Sequence, residues 1–158
     1  MRIERGFYAL EYGEEQNCEF TLYGEIVEER PRDWMTGEPI EGDFIVQSEF
    51  LADLEEAAGR CRTVTLRMHS FGGDAYVGLL LHNRIRELSA SGLRFVCIVD
   101  GVAMSAGSVL AVACDEVRVN PASLVMIHKC WSILWGGYNA DELRAAAEHQ
   151  ETVDRAMA

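Results

Sequence analysis

The chain between residues 95 and 113 reads Phe95-Val96-Cys97-Ile98-Val99-Asp100-Gly101-Val102-Ala103-Met104-Ser105-Ala106-Gly107-Ser108-Val109-Leu110-Ala111-Val112-Ala113. It begins as an apolar run of strand length, reaches an Asp-Gly pair that we interpret as a break, and continues as small and aliphatic residues that suit a buried helix. Ser105 would stand near the N-terminus of that helix, where free backbone N–H groups and the helix dipole favour developing negative charge. A serine in this place can be a nucleophile, but from this stretch alone a packing residue or helix cap explains it at least as well.

Strands and helices alternate along the chain on both sides of this stretch. The strands that we predict are 18–27, 63–68, 95–99, 117–119 and 124–127. The helices are 44–58, which ends at Gly59, 75–89, the segment after Ser105, and a last helix that follows an Asn139 cap. Irregular segments are expected over 28–43 and 131–138. This order predicts an α/β fold with βαβ units and a mainly parallel sheet, forming a single domain over residues 1–158.

Two of the helices are expected to be amphipathic. In the helix over 44–58 the spacing places Phe50 and Leu54 on the buried face and Asp53 away from it. In the last helix Glu142 occupies the capping-box position relative to Asn139. Its apolar side is expected to comprise Leu143, Ala146 and Ala147.

Composition and charge exclude several classes of function. The chain is 49% apolar and 25% charged, which is ordinary for a soluble globular protein, and no apolar run approaches the roughly 20 residues of a membrane-spanning helix. The first 60 residues hold sixteen acidic but only five basic side chains. Binding to nucleic acid is therefore not expected, because a phosphate backbone requires clustered Lys and Arg.

The five cysteines are scattered through apolar stretches, and none forms a C-x-x-C pair. We interpret them as reduced, buried thiols of a cytoplasmic protein. A structural zinc site is not expected, and neither a metal nor a cofactor is predicted.

Polar features follow three of the predicted strands: the Gly72-Gly73 turn, Ser105 and His128. The carboxyl ends of parallel strands meet at one edge of a sheet, so these features are expected to lie close together. Acyl transfer needs a nucleophile, a base that takes its proton, and N–H donors for the oxyanion. The three strand ends supply that inventory.

His128 is the base that we favour for Ser105. Lys129 is an alternative, but in an extended segment it would point to the face opposite His128, so only one of the two can serve. His69 could contact substrate, although a core or surface role is equally open. His82 and His149 lie within helices and are expected to face solvent.

Four segments together resemble the proteolytic subunit family of Clp proteases, in the crotonase-like superfamily. The segments are Tyr23-Gly24-Glu25-Ile26, His69-Ser70-Phe71-Gly72-Gly73-Asp74, Asp100-Gly101-Val102-Ala103-Met104-Ser105-Ala106 and Asn120-Pro121-Ala122-Ser123-Leu124-Val125-Met126-Ile127-His128. Their order and approximate spacing match the family over roughly residues 20–156. The loop around Trp34 also looks like the prophage branch, whose members are similar to head-maturation proteases.

This resemblance implies a serine endopeptidase in which Ser105 is the nucleophile and His128 the general base. The backbone N–H groups of Gly73 and Ala106 would form the oxyanion hole. An extended polypeptide substrate would pair as an added strand between two segments. The substrate-binding residues would include Gly72, Asp74, Ala75, Tyr76, Trp131 and Ser132. The family further implies a homo-oligomer, with a ring as one form, and an ATP-driven unfoldase or phage capsid proteins as partners.

The chain departs from the family pattern in three places. Phe71 stands where the family usually has proline, and His69 stands where it usually has asparagine. The third member of the catalytic triad is expected on a loop beyond the last helix, whereas the sequence ends at Ala158 inside that helix, so we expect a truncated domain. Asp141 and Asp154 follow His128, but neither is assigned as the triad acid.

The departures leave an alternative open, which is a catalytically impaired assembly or scaffold protein of the same family. An acyl-CoA enzyme of the wider superfamily is disfavoured. Such enzymes more often use carboxylates than a Ser–His pair, and the sequence shows no basic cluster for the phosphates of CoA.

Overall fold

The computed structural model describes residues 16–158 together with the backbone of residues 2–5 and 8–12. Its strands are β1 (Arg2–Arg5), β2 (Tyr8–Tyr12), β3 (Asn17–Val27), β4 (Phe44–Val46), β5 (Thr63–Gly73), β6 (Arg94–Met104), β7 (Glu116–Val119) and β8 (Leu124–Met126). Its helices are α1 (Gln47–Ala58), α2 (Ala75–Ala90), α3 (Ala106–Ala113) and α4 (Ala140–Met157).

The sheet is built around three long parallel strands, β3, β5 and β6. At one side of these strands, β4 pairs in parallel with the end of β3. On the same side β2 pairs antiparallel with β3, and β1 pairs antiparallel with β2 at the edge of the sheet. At the other side β7 pairs with the first half of β6 and β8 with its last three residues, both in parallel. The predicted α/β fold with a mainly parallel sheet is therefore confirmed.

The core lies between one face of this sheet and helices α1, α2 and α3. In β5 the side chains of Val64, Leu66 and Met68 are fully buried, and the residues between them lie partly exposed on the other face. The same two-residue period occurs in β3, and the buried side chains of the three helices belong to the same cluster. Alternation along the strands thus decides which face the helices cover.

The Asp100-Gly101 pair does not break the strand, and this prediction was wrong. β6 continues to Met104, because Asp100 receives two hydrogen bonds from Arg67 and one from the Tyr23 hydroxyl at 3.0 Å. Burial, together with the hydrogen bond to Asp100 and its charge, raises the pKa of Tyr23. Long-range pairing of the carboxylate with Arg67 therefore outweighs the local preference of Asp-Gly for a turn.

Residues 44–46 form strand β4 instead of the first turn of α1. Phe44, Ile45 and Val46 have bulky or β-branched side chains, and they pair in parallel with the end of β3. The burial of Asp53 also contradicts the prediction, since this side chain is only 2% exposed on the core face of α1 beside Leu54.

Cys18 and Cys61 form a disulfide, so the prediction of reduced thiols was wrong for this pair. Their Cα atoms are 6.1 Å apart although 43 positions separate them in the chain. Cys97 and Cys114 are free and buried. A hydrogen bond with Cys97, together with burial, raises the pKa of Cys114.

The elements after β7 are more exposed than the sequence indicates. Leu124 in β8 is 61% exposed, and Ile127, the residue directly after β8, is 78% exposed. In α4 the capping box at Asn139 is confirmed, but Leu143 is half exposed and Val153 is the buried residue. No helix in the described part of the chain is long and apolar enough to cross a membrane.

Candidate active site

Ser105 occupies a sharp turn between the end of β6 and the start of α3. Its backbone has φ 52° and ψ −126°, a conformation that residues other than glycine rarely adopt. The turn is fixed on two sides: the Ser105 N–H donates to the Met126 carbonyl at 2.9 Å, and the Ser108 hydroxyl donates to the Ser105 carbonyl at 2.6 Å. A strained serine between a strand and a helix is typical of an enzymatic nucleophile.

The Gly72-Gly73 pair lies directly against this turn. A Cβ atom on Gly72 would stand 2.6 Å from Ser105 Cβ, and both glycines have positive φ, 102° and 146°. The pair forms the end of β5. The sequence instead predicts a separate turn after the strand. Only glycine allows the backbone to approach Ser105 this closely while remaining paired in the sheet.

From the sequence, two backbone N–H groups, those of Ala106 and Gly73, are assigned to an oxyanion hole. Ala106 is the first residue of α3, so its N–H has no acceptor within the helix. Next to Gly73, the Asp74 N–H donates to the Ile26 carbonyl of β3 at 2.9 Å. The oxyanion-hole role of the Gly73 and Ala106 N–H groups stays a prediction.

His128 and Ser105 line the same cavity, which has a volume of about 800 Å³. His128 is exposed and follows β8, whose last residue, Met126, accepts the hydrogen bond from Ser105. The described residues include no hydrogen bond between the two side chains. Lys129 does not line this cavity but a neighbouring one of about 490 Å³, which His128 also lines.

The cavity brings together most of the predicted site residues. Its lining includes Gly72, Gly73, Asp74, Ala75, Tyr76, Ser105, His128, Trp131 and Ser132. Asp74 contributes through its backbone position, because its carboxylate caps α2 by accepting from the N–H groups of Tyr76 and Val77. His82 is absent from the lining, whereas His149 reaches its edge through a hydrogen bond with the Tyr76 hydroxyl.

His69 also lines the cavity, in the place where the family pattern has asparagine. Its ring makes edge-on contacts with Tyr23 and Phe71, at centroid distances of 5.6 and 5.7 Å. A Cβ atom on Gly101 would overlap the imidazole, so this glycine provides the space that the ring occupies. The Asp-Gly pair in β6 therefore has a packing role beside the cavity.

The lining also includes residues that the sequence analysis did not assign to the site, among them Glu25, Asp43 and Met157. Glu25 and Asp43 are brought together because the Glu25 N–H donates to the Asp43 carbonyl at 2.9 Å where β4 joins β3. The Tyr23-Gly24-Glu25-Ile26 motif was the available signal for Glu25. Met157 reaches the cavity from the end of α4, which no local pattern indicates.

The model of the Clp protease family matches residues 20–158 of the chain. The chain belongs to the Clp protease family. A solved structure of a ClpP1 mutant from Listeria monocytogenes is similar to it, with a TM-score of 0.58 and 18% sequence identity over 87% of this chain and 68% of that one. At this level of identity the likeness establishes the Clp protease fold. None of the curated proteins matches the chain.

Proposed function

We propose that the chain is a serine endopeptidase of the prophage branch of the Clp proteases, cleaving polypeptides through an acyl-enzyme on Ser105. The observation that carries this proposal is the strained Ser105 turn, packed against Gly72 and lining one cavity with His128. Membership of the Clp protease family supports it, because that family consists of peptidases that act on polypeptides.

In the proposed mechanism His128 accepts the proton of the Ser105 hydroxyl as the oxygen attacks the scissile carbonyl. The carbonyl oxygen becomes negatively charged and is stabilised by the N–H groups of Gly73 and Ala106. Protonated His128 then donates to the leaving amine, and water hydrolyses the acyl-enzyme by the same steps in reverse order.

The substrate is proposed to lie extended between two backbone segments, 74–76 and 130–133. Pairing as an added strand satisfies its backbone groups, and the apolar side chains of Tyr76 and Trp131 contact its residues. Both side chains are well exposed to solvent in the open cavity, at 55% and 68%. They are therefore accessible to a polypeptide.

Labelling with a fluorophosphonate probe tests this function, because the probe reacts only with an activated serine. Wild-type protein should be labelled at Ser105, Ser105→Ala should not be labelled, and His128→Ala should react roughly 10²- to 10⁴-fold more slowly. Ser89→Ala is the matched control, since this serine lies in the last turn of α2 and bonds to Asp115. Equal labelling of wild type and Ser105→Ala would overturn the assignment.

A second candidate, an assembly protein without turnover, is favoured by an exposed apolar surface. This surface is made by β7, β8 and the stretch after β8. It includes Val117, Val119, Leu124, Val125, Ile127, Trp131, Ile133, Leu134 and Trp135, each at least 41% exposed. Large apolar side chains that are exposed in such number indicate a protein–protein contact. We propose that this surface contacts further copies of this chain, for example in a ring. An unfoldase or a capsid protein would be a further partner of that assembly.

A further inference from the structure

The stretch that carries His128 has few attachments to the rest of the protein. Residues 127–137 contain no helix or strand. Among the residues that the structure describes, one hydrogen bond ties this stretch to another element: the Cys130 N–H donates to Asp154 Oδ1 of α4 at 2.7 Å. On the upstream side, the Met126 carbonyl accepts from the Ser105 N–H. His128 thus lies midway between two anchors, each two residues away.

The downstream anchor is a hydrogen bond to a side-chain oxygen in a partly buried place. Because the Cys130–Asp154 bond is partly buried, water cannot fully replace the acceptor. Burial, together with the charges of Asp154 and Asp74, raises the pKa of the Cys130 thiol. The thiol is therefore kept neutral and does not compete with Ser105 as a nucleophile.

Helix α4 is itself held beside the cavity by contacts on the same side as Asp154. Val153 is 6% exposed, His149 bonds to the hydroxyl of Tyr76, and Met157 lines the cavity. The helix consequently touches both segments proposed to bind substrate, one through Tyr76 and the other through Cys130. Asp154 is the member of this set that reaches the His128 stretch.

We propose that Asp154 is a positioning residue, which holds the backbone of Cys130 and thereby places His128 opposite Ser105. This inference rests on the proposed serine-peptidase function. It differs from a triad acid, because the recorded hydrogen bond of the Asp154 side chain is to a backbone N–H and not to the imidazole. Asp154 therefore acts on His128 through the chain, and an uncharged acceptor of the same shape can replace it.

The test compares Asp154→Ala with Asp154→Asn, since asparagine keeps an oxygen acceptor and loses the charge. Two quantities are measured on the full chain: deuterium exchange of peptides that cover residues 127–134, and the rate of fluorophosphonate labelling of Ser105. Glu148→Ala is the matched control, because it removes a carboxylate from an exposed position on the same helix.

In Asp154→Ala we expect the Cys130 amide to exchange at least tenfold faster than in wild type. Fluorophosphonate labelling of Ser105 should be about 10- to 100-fold slower, because His128 is displaced. Asp154→Asn and Glu148→Ala should stay within about threefold of wild type in both measurements. A thermal melt confirms that each variant is folded.

Three results would overturn the inference. Unchanged exchange in Asp154→Ala would show that the hydrogen bond does not hold the segment. Faster exchange with unchanged labelling would show that the segment does not place His128. An equal loss of labelling in Asp154→Asn would indicate a requirement for the charge, as for a triad acid, where the Asn variant costs about 10⁴-fold. If wild type itself is not labelled, the proposed function fails, while the exchange measurement still decides whether Asp154 holds the segment.

Discussion

Gly72→Ala should damage both the stability and the reactivity of the protein, because this glycine touches the nucleophile turn. The new methyl group would stand 2.6 Å from Ser105 Cβ and 2.8 Å from the Met104 carbonyl oxygen. Its positive φ of 102° costs roughly 1–2 kcal/mol for a residue with a side chain. Overpacking adds about 1–3 kcal/mol, since neither neighbour is the flexible end of a side chain.

The chain offers a matched control at Gly92, which follows α2. Its φ is 105°, nearly that of Gly72, but a Cβ atom there would meet nothing within 4 Å. Gly92→Ala therefore carries the same backbone cost without the clash. The difference in the free energy of unfolding between the two variants should be about 1–3 kcal/mol, which is the overpacking contribution alone.

The free energies are measured by urea denaturation at one protein concentration, followed by far-ultraviolet circular dichroism. Fluorophosphonate labelling of Ser105 is measured on the folded variants. Displacement of the serine should slow labelling roughly 10- to 100-fold in Gly72→Ala and leave it unchanged in Gly92→Ala. Two variants with equal stability and equal labelling would refute the close approach of Gly72 to Ser105.

Two further predictions concern the disulfide and the exposed apolar surface. Since the Cys18–Cys61 bridge closes a loop with a sequence separation of 43, chain entropy predicts that the oxidised protein is about 4 kcal/mol more stable than the reduced one. Urea denaturation with and without dithiothreitol measures this difference, and an equal effect of the reductant on Cys61→Ser would contradict it. Light scattering of the wild-type protein should find a defined oligomer. Trp135→Ser should weaken this oligomer, because Trp135 is 83% exposed on the apolar surface. A monomer at every protein concentration would rule out the assembly surface.

Local patterns in the sequence were sufficient to place most elements. The alternation in 18–27, the helical spacing after Asp74 and the capping box at Asn139 each depend on residues a few positions apart, and each is confirmed. The Gly72-Gly73 pair, Ser105 and His128 were expected at one sheet edge, and they line one cavity. Their catalytic roles remain a prediction.

Features that depend on distant residues were decided only by the tertiary structure. Asp100-Gly101 stays in β6 because Arg67 on the adjacent strand β5 and Tyr23 on β3 both bond to the carboxylate. Cys18 meets Cys61 because β3 and β5 are adjacent. Likewise Asp154 reaches Cys130 only after α4 has folded back along the cavity.

The sequence by itself thus determined most of the order of the strands and helices, although not β1, β2 and β4. It also determined the kinds of residue at the strand ends, since periodicity and turn preference act over a few residues. The tertiary structure decided which residues meet, namely Ser105 with Gly72 and the His128 stretch with Asp154. Such contacts join positions tens of residues apart. They follow from the pairing of parallel strands and the seating of α4, which no local pattern encodes.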